Sequence, residues 1–148
     1  MKKLIITFVL LLCSSVSFAG DFTLHTSLGS YHTEKYQGNE FKEWNQRNEG
    51  FSIEWNQTKE LSYQIGSYHN SEWKNSKFAF VQYLPIEYKG ASVGAFGGYV
   101  SGYELTNIAA GLMLRYKVEK VVFTTRYVPK VDKRLGSSVF GFEVGYNF

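Results

Sequence analysis

The last ten residues, Val139 to Phe148 (VFGFEVGYNF), carry the clearest strand signal in the chain. Large apolar side chains occupy every second position from Phe140 to Phe148, while glycine, glutamate and asparagine occupy the positions between them. Alternation with a period of two is typical of a strand with one apolar face and one small or polar face. The segment therefore predicts a β-strand that is apolar on one side only.

The same alternation recurs along the whole chain. With a first strand near Phe22 to Ser30 it predicts eight strands, the others beginning near Phe51, Leu61, Phe78, Val93, Ile108, Val121 and Phe140. Short turns at 56–60, 88–90 and 117–120 alternate with longer polar connections at 32–49, 71–77, 102–107 and 130–137. This order favours an up-and-down transmembrane barrel, which has short turns at one end and longer loops at the other.

Length and composition narrow the choice further. A chain of 148 residues with 18% aromatic residues fits one folded domain and excludes a disordered chain or a coiled coil. A membrane-spanning strand needs about 9–11 residues, so eight strands use roughly 80 residues, whereas ten would leave too few for the connections. The single cysteine, Cys13, falls in a predicted export signal. The mature chain therefore has no disulfide, thiol nucleophile or cysteine metal site, and we predict no metal and no cofactor.

The main competing architecture is a soluble exported barrel or sandwich, which would turn its apolar face inward and its charges outward. Here the rows opposite the apolar rows are small or polar and include Arg115, Arg126 and Glu143, which suits a narrow lumen better than a dry core. We therefore predict an all-β, eight-stranded antiparallel up-and-down transmembrane β-barrel. The terminal Phe148 resembles the assembly signal of bacterial outer-membrane barrels, so the outer membrane and its assembly machinery are the predicted location and partner.

Residues 1–19 read as a secretory signal peptide. Lys2 and Lys3 precede an apolar run from Leu4 to Leu12, and Ser17-Phe18-Ala19 supplies the small residues of a cleavage site after Ala19. The apolar run is too short for a membrane anchor, and a lipoprotein signal would have a small residue before Cys13. Residues 20–148 then form the barrel domain. Loss of two lysines lowers the formal charge from +3 to about +1, which gives no electrostatic reason to expect nucleic-acid binding.

The alternate positions predicted to face the lumen suggest what it binds. In the outer half of the barrel these positions are largely apolar, so we predict Phe96, Val100 and Met113 as substrate-binding residues of an apolar pocket for an acyl chain. The inner half carries Glu54, Gln64, Arg115 and Glu143. The simpler alternative is that these side chains only fill a narrow barrel.

Two residues at the outer rim have the chemistry for catalysis. His32 follows the first predicted strand and Ser71 the third, so both lie at one end of the barrel, on strand ends roughly 10 Å apart. A histidine and a serine there suit a general base with a nucleophile or proton donor; alternatively, both are solvated loop residues. His25, inside the first strand, is predicted to be structural. His69 is expected to face away from the site, toward lipid headgroups.

Several short motifs resemble the lipid A palmitoyltransferase (PagP) family. They are Tyr31-His32, Trp44-Asn45-Gln46-Arg47, Gly50-Phe51-Ser52-Ile53-Glu54-Trp55, Tyr68-His69-Asn70-Ser71-Glu72-Trp73, Tyr127-Val128-Pro129 and the terminal Asn147-Phe148. The resemblance implies an eight-stranded outer-membrane barrel that transfers a palmitoyl chain from a phospholipid to lipid A. It also implies that His32, Ser71 and Asn70 are the catalytic residues, with membrane lipids as partners and a monomeric barrel.

The chain departs from that family at informative positions. Asn70 stands where the family has aspartate, and asparagine can orient a histidine but cannot stabilise its cation. A proline expected near Ile108 is missing, whereas Pro129 is present; in the family such prolines weaken strand pairing and give lipids a lateral entrance. The resulting hypotheses are an acyltransferase and a non-enzymatic barrel that binds a lipid or protein partner. A diffusion pore is disfavoured because eight-stranded lumens are filled.

Overall fold

The computed structural model describes residues 21–35, 43–131 and 137–148, so the predicted signal peptide at 1–19 lies outside the described residues. The strands are β1 (Asp21–His32), β2 (Gly50–Asn56), β3 (Leu61–His69), β4 (Asn75–Tyr88), β5 (Ala91–Val100), β6 (Ile108–Val118), β7 (Val121–Val128) and β8 (Val139–Asn147). Each strand pairs antiparallel with the next, and β8 pairs with β1 to close the barrel. The predicted eight-stranded up-and-down barrel is confirmed. No helix within the described ranges is long and apolar enough to cross a membrane.

The outer surface of the barrel is apolar, as a lipid-facing surface must be. Large hydrophobic side chains are exposed on every strand, among them Leu24, Ile53, Ile65, Val81, Val93, Leu112, Phe123 and Phe142. The most deeply buried side chains are polar, and Gln64, Gln82 and Glu54 have no exposed surface at all. This inside-out distribution is the reverse of a soluble barrel and indicates residence in a membrane.

The lower lumen, on the side of the short turns, holds a charged network centred on Glu54. Arg115 donates a hydrogen bond to one carboxylate oxygen of Glu54 at 2.6 Å, and Nε2 of His25 lies 2.7 Å from the other. A second ion pair joins Arg126 to Glu143. Paired charges tolerate burial because each partner offsets the other's loss of water. The network fills this part of the lumen, and it gives His25 the structural role predicted for it.

Two buried amides connect the ion pairs. Gln82 donates to Oε1 of Gln64 at 2.7 Å, and Gln64 in turn donates to Oγ of Ser52 at 2.6 Å. Arg115 and Arg126 both donate to the amide oxygens of these glutamines. Since buried polar groups need partners, this cross-linking stabilises the inward rows of β2, β3 and β4.

An apolar cluster lies on the inner wall formed by β4, β5 and β6 and extends down to Leu84, beside the short turn after β2. Its buried members are Phe78, Phe80, Leu84, Phe96, Val100 and Met113. The Phe80 ring stacks on Phe78 with centroids 4.7 Å apart and meets Phe96 edge-on at 5.2 Å. This cluster includes all three of the predicted substrate-binding residues.

A bulge in β1 determines which residues of that strand face inward. Its register with β8 shifts between Ser27 and Gly29, and Gly29 has a φ of 137°, a backbone conformation that favours glycine. Below the bulge His25 faces the lumen, and above it His32 does, although the two are an odd number of residues apart. Strict alternation would turn His32 outward. The bulge therefore places this histidine, the last residue of β1, inside the barrel mouth.

We expect the purified barrel to be heat-modifiable, migrating differently on gels with and without boiling, because the closed hydrogen-bonded sheet has no free edge at which unfolding can begin. Electrophoresis of the detergent-extracted protein tests this. Recovery of the folded chain in the soluble periplasmic fraction would contradict it.

Candidate active site at the barrel mouth

His32 and Ser71 form a hydrogen-bonded pair at the outer mouth. Nε2 of His32 lies 2.9 Å from Oγ of Ser71, and both residues are about 5% exposed. They come from the end of β1 and from the turn after β3, with β2 between these strands. Side chains and loop curvature thus close the gap of roughly 10 Å expected from strand spacing. The distance suits proton transfer from a hydroxyl to an imidazole.

Four connections join the strands at this end of the barrel: L1 (33–49), L2 (70–74), L3 (101–107) and L4 (129–138), of which the structure describes 33–35, 43–49, 70–74, 101–107, 129–131 and 137–138. L1 folds back into the mouth and contacts both members of the pair. The Trp44 ring stacks on the His32 ring with centroids 5.0 Å apart and an interplanar angle of 6°. The backbone N–H of Asn45 donates to the carbonyl of Ser71 at 2.9 Å.

Side chains of L1 also donate hydrogen bonds to the end of β3 and to the start of L2. Asn45 donates from its amide to the carbonyls of His69 and Asn70, and Asn48 donates to the carbonyl of His69 at 2.9 Å. Sequence reasoning noted the motif that begins at Trp44 but assigned its residues no role. An aromatic residue followed by asparagine is a weak signal by itself, and only the folded-back loop reveals what it does.

The bulge glycine is where L1 meets β1. Ser30 donates from its backbone to the carbonyl of Gln46 at 2.9 Å. A Cβ on Gly29 would lie 2.7 Å from that same carbonyl oxygen, closer than real Cβ atoms approach. Position 29 therefore needs glycine both for its backbone conformation and for the seating of L1.

Replacing Gly29 with alanine is expected to lower the free energy of unfolding by about 1–3 kcal/mol, the cost of a strained backbone at a non-glycine residue, and to displace Trp44 from His32. Gly141→Ala is the matched control, because Gly141 is paired with the adjacent Ser30 and an added Cβ would meet no atom within 4 Å. Denaturant unfolding followed by tryptophan fluorescence measures both variants. Equal stability of the two would contradict this account of the bulge.

Asn70, the third predicted catalytic residue, is fully buried and uses its whole amide to shape the loops. Its Oδ1 accepts hydrogen bonds from the backbone of Glu72 at 2.9 Å and Lys74 at 2.8 Å. Its Nδ2 donates to Oγ of Ser76 at 2.9 Å and to the carbonyl of Gly102 at 3.0 Å. These contacts join L2 to L3, and none of the four is with His32.

An exposed ion pair makes a second connection between the same loops. Lys74 donates to Glu104 at 2.7 Å and to Glu72 at 3.3 Å. The hydrogen bond to Glu104 raises the pKa of Lys74 above its usual value. An exposed pair of this kind adds little stability, so Asn70 is the stronger connection between L2 and L3.

A cavity of about 470 Å³ lies beneath His32 and Ser71, within the usual size range of small-molecule sites. Phe78, Phe80, Phe96 and Val100 form its apolar wall, and Arg126 and Glu143 stand among its polar lining residues. Met113 is buried in the apolar cluster but does not line the cavity. His69 lies away from the pair, with its ring edge-on to Trp73 at 6.1 Å. Among the described residues, no three side chains converge as metal ligands.

The pairing of β6 with β7 stops before the outer end of β6. The register of these strands runs from Leu112–Tyr127 to Val118–Val121, so residues 108–111 of β6 extend above it. Ile108 is 71% exposed and Ala110 is also exposed, yet both contribute to the cavity lining. β7 ends at Val128, directly before Pro129. Among the described residues, ladder pairing between β6 and β7 therefore ends at Leu112 and Tyr127, below the outer end of β6.

Comparison with known proteins supports the fold alone. No protein-family model matches the chain, and no curated protein matches it in sequence. A solved structure described as "De novo design of transmembrane beta-barrels" superposes with a TM-score of 0.60 at 12% identity, covering 87% of this chain and 96% of the designed one. The chain thus has the fold of a small transmembrane β-barrel.

Proposed function

We propose that the protein is an outer-membrane acyltransferase that moves a fatty acyl chain from a phospholipid to lipid A, as its resemblance to the lipid A palmitoyltransferase family suggests. One observation carries the proposal. The buried His32–Ser71 pair, joined at 2.9 Å, stands at the mouth of an apolar cavity in a barrel whose exterior faces lipid. The reactive groups and the apolar cavity thus occur together at one end of the molecule.

The geometry favours a two-step transfer through Ser71. Oγ of Ser71 attacks the ester carbonyl of the phospholipid while Nε2 of His32 takes the hydroxyl proton. That proton then passes to the leaving glycerol oxygen, which gives a lysophospholipid and an acyl-serine. A lipid A hydroxyl attacks the acyl-serine, with His32 again accepting the proton and returning it to Oγ of Ser71.

The early end of the β6–β7 pairing supports lipid entry from the side. Proline cannot donate to a strand ladder, and Pro129 follows directly on β7 where the pairing with β6 has ended. An acyl chain entering there would pass Ile108 and reach the wall of Phe78, Phe80 and Phe96. The ion pair of Arg126 and Glu143 would form a polar limit to its path.

Mass spectrometry of lipid A from cells that make the protein tests this function. We expect a mass gain of one acyl chain, and we expect His32→Ala and Ser71→Ala to abolish it. His69→Ala is the matched control, because His69 is a nearby histidine that contacts Trp73 rather than Ser71. Gel mobility with and without boiling shows whether each variant folds.

The second candidate is a barrel that binds a lipid or protein partner without catalysis. It is favoured by the lack of a carboxylate in the pair: among the described residues, the histidine that forms ion pairs with carboxylates is His25, not His32. A folded, correctly located barrel that leaves lipid A unchanged would favour this alternative.

A further inference from the structure

Two tyrosine hydroxyls meet inside the cavity. Tyr68 lies on β3 and Tyr103 in L3, and their hydroxyl oxygens are 3.0 Å apart. Both residues line the cavity below His32 and Ser71. The proposed reaction assigns neither of them a role.

The pair lies where the cavity changes from apolar to polar. Both tyrosines pack against the apolar cluster, and the Tyr68 ring meets Phe78 edge-on at 5.7 Å. Above the cluster, Tyr68 is in register with Ser76, which accepts a hydrogen bond from Asn70, the residue before Ser71. The Tyr68 hydroxyl also interacts with the Ser76 side chain, so the two hydroxyls lie at the upper boundary of the apolar wall, on the side of the turn that carries Ser71.

An acyl ester shows the same change from apolar to polar, because its hydrocarbon chain ends at the ester carbonyl. We propose that the Tyr68–Tyr103 pair binds the ester carbonyl oxygen of a lipid whose chain lies along Phe78, Phe80 and Phe96. This inference rests on the proposed function for the presence of an acyl lipid in the cavity. It adds two positioning residues that hold the ester beside Ser71.

Hydrogen-bond accounting supports a carbonyl as the ligand. Two phenols carry two protons, and when Tyr68 donates to Tyr103, the O–H of Tyr103 is left to donate to a ligand. A carbonyl oxygen only accepts. An anionic group would need a cation, but Lys74 is paired with Glu72 and Glu104, and Arg126 with Glu143.

A pair of matched lipids isolates this contact. A 1-acyl lysophosphatidylcholine and its 1-O-alkyl analogue of equal length differ by the carbonyl alone. Each competes with a bound fluorescent acyl amphiphile on the purified protein at fixed detergent concentration, without any acyl acceptor. Measurements in a His32→Ala background prevent turnover. We expect the ester to bind about three- to tenfold more tightly than the ether, the range of one net hydrogen bond.

Tyr68→Phe and Tyr103→Phe should each remove the preference for the ester and leave the affinity for the ether unchanged. Tyr99→Phe, which deletes a hydroxyl from the outer face, should keep it. Equal affinity for ester and ether in the parent protein, a preference that survives both phenylalanine variants, or no displacement by either lipid would overturn the proposal. An ester preference in a barrel that never acylates lipid A would refute the proposed function alone, and acylation without the preference would refute this inference alone.

Discussion

Replacing Glu54 with leucine is expected to lower the free energy of unfolding by about 3–5 kcal/mol, the usual cost of leaving one member of a buried ion pair without its partner. Glu54 has no exposed surface, and its two oxygens bind Arg115 at 2.6 Å and His25 at 2.7 Å. The substitution would strand the Arg115 guanidinium in the lumen. Denaturant unfolding in detergent or bilayer measures the loss.

Two further variants make this result interpretable. Glu104→Leu removes an exposed carboxylate from the pair with Lys74 and should change the free energy of unfolding far less than Glu54→Leu does, because solvent screens an exposed pair. Glu54→Leu combined with Arg115→Met removes both charges and should recover much of the loss, since the penalty comes from the unpaired cation. If the single and double variants were equally unstable, packing rather than charge would explain the effect.

Replacing Asn70 with aspartate is expected to reduce both stability and any acyl transfer, although the two side chains have the same shape. Aspartate at neutral pH cannot donate, so the carbonyl of Gly102 would lose its donor and Ser76 would have to reorient. Each disrupted buried contact costs about 1–3 kcal/mol. The change would also loosen the turn that carries Ser71, and small misplacements of reactive groups can cost on the order of 100-fold in rate.

The family resemblance makes the opposite prediction for the same variant. If Asn70 occupied the place of a catalytic carboxylate, Asn70→Asp would restore it and raise activity. Lipid A acylation and denaturant unfolding, measured on one preparation, separate the two outcomes. Higher activity at unchanged stability would show that the hydrogen bonds from Asn70 to L3 are dispensable.

The sequence predicted those features that depend only on the alternation of apolar residues along the chain and on the number of strands. Alternation identified all eight strands, and strand order placed His32 and Ser71 at one end, because successive strands in an up-and-down barrel run in opposite directions. The same period-two alternation predicted that Glu54 and Phe96 face the lumen. Each of these inferences needs only local pattern and chain direction.

The rest depends on contacts between distant segments. Nothing near Gly29 in the sequence shows that Leu28 is an extra residue relative to β8, so the inward turn of His32 was not derivable from alternation. The stacking of Trp44 on His32 depends on a loop that folds back into the mouth. Asn70 was assigned to catalysis by resemblance, whereas its partners Ser76 and Gly102 become visible only in the folded chain.

The bulge also divides β1 into two segments that are out of phase with each other. In the lower segment His25 contacts Glu54 of the charged network, and in the upper segment His32 contacts Ser71 at the barrel mouth. A single-residue deletion at Leu28 would remove the extra residue and bring the segments into phase, and His32, then six positions from His25, would still face the lumen, whereas closing the bulge with Leu28 retained would turn His32 toward the outer face. The length of β1 and its bulge must therefore change together if both histidines are to stay inside the barrel.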